Sequence, residues 1–115
     1  MINWDEFNLY LGLFDRDFVV VEIVGGFLSG SREQMSDLKK NVEEKDFPLV
    51  HRNAHTLKTL CATFGDKAAT ELAFKLEMMG KEHSDDDMNC VYHDLAKAVD
   101  NLILELEQYK NMPPR

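Results

Sequence analysis

A histidine and a lysine three positions apart, in the run His55-Thr56-Leu57-Lys58, bring a nucleophilic imidazole and a cation within one helical turn of each other. Phosphoryl transfer uses such a pair: a ring nitrogen attacks phosphorus, and the ammonium offsets charge on the phosphoryl oxygens. At about 100° per residue, Arg52, His51, Thr59, Lys58 and Ala62 fall within about 60° of His55 around a helix. Val50, Ala54, Leu57, Leu60, Cys61 and Phe64 occupy the opposite half. The spacing predicts a His55 that faces solvent, ringed by basic and small neighbours. Gly65, in the left-handed position that ends helices, is the structural stop of this segment.

The rest of the chain must position that histidine, and its apolar residues recur only with helical period. No period-2 alternation is long enough for a strand. Trp4 to Leu13 reads as a short first helix capped by Asn3, with Trp4, Phe7, Leu9, Tyr10 and Leu11 apolar. Asp15 caps a second helix from Arg16 to about Lys45, with Val19, Val20, Ile23, Val24, Phe27, Leu28, Met35, Leu38 and Val42 at three- and four-residue steps. Gly25-Gly26 and Ser29-Gly30-Ser31 are its weak points. Either it runs through with a bend, the favoured reading, or it breaks near Gly30 and Ser31 caps a second piece. Asp46-Phe47-Pro48 heads the third helix, the one that carries His55. Asp66 caps a fourth through about Lys81, with Ala69, Leu72, Ala73, Leu76 and Met79 inward. Ser84-Asp85-Asp86-Asp87 starts a fifth that continues through Val91, Leu95, Ala98, Val99, Leu102, Ile103 and Leu106 to about Lys110. The expected fold is all-α, an antiparallel up-and-down four-helix bundle joined by turns of about two to five residues, with a short additional N-terminal helix capping one end. Residues 1–115 form a single domain in this reading, with a frayed tail at 112–115.

Composition narrows the function. A chain of 115 residues with 44% hydrophobic content has room for one core and is not disordered. The longest uncharged apolar stretch, Phe18 to Val21, is far too short to span a bilayer, and the N-terminus lacks a signal-peptide pattern, so a cytoplasmic location is the default. A net charge of −8 argues against nucleic acid as the main partner. The acidic runs are Glu43-Glu44, Asp85-Asp86-Asp87 and Glu105 to Glu107, whereas His51 to Lys58 contains no carboxylate. That leaves a basic patch suited to an acidic pocket. Cys61 and Cys90 stand singly, which disfavours a zinc or redox pair; Cys61 is expected in the core.

The stretch from Ala54-His55-Thr56-Leu57-Lys58 to Phe64-Gly65 resembles the signature of histidine-containing phosphotransfer domains of two-component phosphorelays. That signature is written H-x-L-K-G with a further glycine beyond it. Histidine, leucine, lysine and the second glycine match, and Thr59 stands where the family has glycine. The resemblance implies that Nε2 of His55 accepts a phosphoryl group from the phospho-aspartate of one receiver domain and passes it to another. It further implies a monomer that binds no cofactor itself, with Mg²⁺ on the receiver. Lys58 would stabilise phosphoryl charge, and Arg52, His51, Thr59 and Ala62 would face the partner. A fourth-helix side chain against the ring is implied too; spacing gives Glu77, with Lys81 one turn further.

Plainer readings stand beside these. Glu77 as a solvated position is as well supported as Glu77 as a functional one, and Arg52 divides evenly between docking and ordinary surface. His83 and His93 are read as surface, and Phe14, Phe18, Phe27 and Phe74 as core, unless exposure near His55 makes them docking residues. His51 and His55 at i and i+4 lack the glutamate of a His-Glu-x-x-His site. A helical adaptor without phosphotransfer is the serious rival, with Thr59 as its basis. Autonomous kinase activity is disfavoured, because no Gly-rich nucleotide loop appears.

Overall fold

The structure is a computed structural model that describes residues 2–111, apart from the side chain of Tyr10. The tail at 112–115, expected to fray, lies outside the described residues. Five helices follow one another. They are α1 (Trp4–Leu11), α2 (residues 16–43), α3 (Phe47–Thr63), α4 (Lys67–Lys81) and α5 (Met88–Lys110). No strand is present among the described residues, only an isolated bridge between Ile2 and Asp66. Helices α2 to α5 pack as the expected bundle.

Side-chain caps set most of the N-terminal boundaries. Asn3 Oδ1 accepts from the backbone N–H groups of Asp5 and Glu6, Asp15 Oδ1 from Asp17, Asp46 Oδ1 from Leu49, and Asp66 Oδ1 from Ala69. Each satisfies a donor that the first helical turn leaves open. Gly65 has φ +68° and closes the α3–α4 turn as predicted. The first helix stops at Leu11, short of Leu13, because Gly12 caps it through the Asn8 carbonyl. The last starts at Met88, later than the acidic run suggests; Asp87 precedes it at φ 60°, without a side-chain cap. The α4–α5 turn is consequently longer than expected, spanning residues 82–87.

Helix α2 runs through, as the favoured reading had it, and its irregularity lies one turn before the glycines. Arg16–Phe18 leads into a π-helical segment, Val19–Val24, which passes into α-helix at Gly25–Glu43. The N–H of Gly25 reaches back five residues to the Val20 carbonyl. Glycine suits this wider turn, since a Cβ at position 25 would stand 3.2 Å from the Val20 carbonyl oxygen.

Val50, Ala54, Leu57 and Cys61 of α3 are fully buried and share one core with Ala69, Ala73 and Leu76 of α4 and Leu95, Val99 and Leu102 of α5. Helix α1 seals the end where α3 turns into α4. Asn3 donates its N–H to the Gly65 carbonyl at 2.9 Å, and Phe7 packs on Phe64 and Tyr109, with ring centroids 6.4 and 4.9 Å away. Phe27 is buried, but Phe14, Phe18 and Phe74 are about half exposed and are not core. The apolar face of the bundle is filled without them.

Candidate functional site

His55 lies at the centre of α3 on the face turned away from the core, as the spacing predicts, with 57% of its side chain exposed. Helix α4 supplies the group that holds it. Glu77 is almost buried, at 8% side-chain exposure, and its Oε1 stands 2.5 Å from His55 Nδ1. Its other oxygen, Oε2, is 2.7 Å from the ammonium of Lys58, whose side chain is 25% exposed. One carboxylate therefore bridges the imidazole and the cation, with both oxygens engaged. Burial pushes the Glu77 carboxyl up; the hydrogen bonds from Lys58 and His55 and the charges behind them outweigh that and hold it below the usual carboxylate range.

Facing a carboxylate, Nδ1 carries the ring proton, which leaves the lone pair on Nε2. The arrangement fixes both tautomer and ring orientation. Lys58 has a second neighbour, the Phe74 ring, whose centroid is 5.1 Å from its ammonium. The solvated alternative for Glu77 is thus excluded by its burial and its two contacts.

The backbones of α3 and α4 come close enough for this bridge because of Gly80. A Cβ there would stand 2.6 Å from the His51 nitrogen and 2.9 Å from the Phe47 carbonyl oxygen, both backbone atoms. A glycine three residues beyond Glu77 in an otherwise regular helix was the sequence signal for this approach. Phe74, three residues before Glu77, shares its face by the same count.

The other expected site residues divide into two flanks. On one, Thr59, Ala62 and Lys58 line an open groove of about 650 Å³ together with Leu11, Phe14 and Ile23. Thr59 is exposed, and its hydroxyl donates to the His55 carbonyl at 3.2 Å, so it presents bulk to a partner and turns its donor inward. On the other flank Arg52 is exposed beside a depression that includes Asp37 and Asn41 of α2 and Glu44 just beyond its end. The structure therefore does not bring Arg52 and Lys58 together. His51 is half-buried with its backbone under Gly80, and Lys81 is exposed in the last turn of α4. The contribution of Leu11, Phe14 and Ile23 to the groove depends on how the chain before α3 folds back, which spacing within α3 does not carry.

Among the described residues no group of three or more His, Cys, Asp or Glu side chains is placed to hold a metal ion, and no helix is long and apolar enough to cross a membrane. A family model described as Hpt domain matches residues 22–109. No curated protein and no solved structure matches the chain.

Proposed function

Because the chain belongs to the Hpt domain family, and so to two-component phosphorelays, we propose that His55 is its phospho-acceptor, taking the phosphoryl group of one receiver domain and passing it to another. The observation that carries this reading is the Glu77 bridge, which commits Nδ1 of an exposed imidazole and leaves Nε2 with the lone pair. In the forward step the Nε2 pair forms the N–P bond while the P–O bond of the phospho-aspartate breaks. The electron pair leaves with the aspartate carboxylate. Positive charge arising on the ring is offset by Glu77, which holds the Nδ1 proton throughout. The return step is the same exchange run toward a second receiver's aspartate.

Positioning and charge stabilisation supply most of what phosphoryl transfer needs, so one oriented imidazole on a rigid helix suffices on this side of the complex. Lys58 rests on Glu77 until a phosphoryl group arrives and offers a stronger anion. The receiver brings the divalent cation. The groove of Leu11, Phe14, Ile23, Thr59 and Ala62 seats the partner beside the histidine, and half-exposed Phe74 lies against the Lys58 ammonium.

The test is ³²P transfer from a phosphorylated receiver domain to the wild type and to His55→Gln. Label on the wild type alone, lost in acid and stable in alkali, is expected. If the chain is instead an adaptor that docks without accepting phosphate, neither the wild type nor Thr59→Gly will take label.

A further inference from the structure

Phe74 stands half exposed on α4, three residues before Glu77, so the two project from the same side of the helix. The core does not use its ring. What the ring meets is the ammonium of Lys58, which lies over its face 5.1 Å from the centroid. The same ammonium stands 2.7 Å from Glu77 Oε2. A ring and a carboxylate from two residues of α4 thus hold one cation of α3. The two contacts differ in kind. Glu77 takes an N–H group of the ammonium, and a phosphoryl group beside His55 must compete for it. A ring face attracts the charge as a whole rather than one N–H, so it can keep its hold while the ammonium turns. A lysine has a four-carbon stem to order before its charge can act on a transition state, and a seat that persists through the reaction removes much of that freedom beforehand.

We propose that Phe74 is a positioning residue for phosphotransfer: its ring is the pivot on which the Lys58 ammonium turns from Glu77 to the phosphoryl oxygens. The inference rests on His55 as the phospho-acceptor. Phe74 acts through Lys58 and not on the phosphoryl group itself.

The test is a rapid-quench ³²P assay on the full chain with the phosphorylated receiver varied, so that maximal rate and KM are read separately. Phe74→Leu, apolar but without a π face, should lower the maximal rate about two- to fivefold at unchanged KM, the loss expected of a cation–π contact at a half-exposed site. Phe74→Trp should match or exceed the wild type, because tryptophan is the stronger partner for a cation. Pentafluorophenylalanine at position 74 keeps the shape and reverses the charge pattern of the ring, and it should be as slow as leucine. In a Lys58→Ala background Phe74→Leu should have no further effect. A raised KM at unchanged maximal rate, a fully active pentafluoro form, or an undiminished effect of Phe74→Leu in the Lys58→Ala background would each overturn the inference while leaving His55 as the acceptor. No label on the wild type would overturn both.

Discussion

Glu77 serves His55 and Lys58 with separate oxygens, so replacing it disturbs both at once. Glu77→Gln keeps the shape but removes the charge that offsets a positive ring. Receiver-to-protein transfer should slow by about tenfold or more, in proportion to the loss of a charge-assisted hydrogen bond, in a rapid-quench ³²P assay. The same carboxylate links the site to stability. Its folded pKa is depressed relative to the unfolded chain, so its contribution is fully present above the ordinary glutamate value of about 4.3 and is lost as pH falls through the lower folded value. Urea melts over the acid range should show wild-type stability declining in that window, and Glu77→Gln should flatten the decline. Thr59 is the counterpart on the groove side. Thr59→Gly should speed transfer by about tenfold if bulk next to the histidine keeps the partner from close approach. It should cost only a few tenths of a kcal/mol in helix stability, since threonine is itself a poor helix former.

At the scale of the helices, two kinds of glycine behave in opposite ways. Gly80→Ala pushes a methyl group into the α3 backbone at His51 and Phe47, so the two helices must separate; a loss of about 1–3 kcal/mol is expected by denaturation. Transfer should fall with it, because Glu77 moves off the ring. Gly26→Ala meets open space and should gain about 0.5–1 kcal/mol. From composition alone these residues are indistinguishable, and only the neighbouring helix tells them apart. The caps at Asn3, Asp15, Asp46 and Asp66, the stop at Gly65 and the exposure of His55 were all legible in the sequence, because each depends on chemistry within a few residues. The π-helical turn at Val19–Val24 was not, nor the exposure of Phe14, Phe18 and Phe74. Periodicity records which side of a helix is apolar, and it cannot record that other helices have already filled the space. Glu77 lay between these cases: the family resemblance implied such a side chain and spacing picked the residue, but its burial required α3 and α4 to be in contact.

Across the whole molecule the two cysteines report on different events. Burial, with the charge of Asp66 adding to it, pushes the Cys61 thiol up to about 12, whereas Cys90 is exposed on α5. Ellman's reagent should therefore titrate one thiol per native chain at neutral pH and two after unfolding. The rate at which the second appears measures global opening, because Cys61 sits where α3 meets the rest of the core. The groove beside His55 has a further consequence, in temperature. Leu11, Phe14, Ile23 and Ala62 give it an apolar lining, and an association seated there carries a negative heat-capacity change. Its driving force fades on cooling. Docking should thus weaken in the cold even where the chemical step is unaltered, and calorimetric titrations with a receiver at several temperatures would separate the two. A relay built on this surface would pass its signal less readily in a cold cell than its chemistry alone allows.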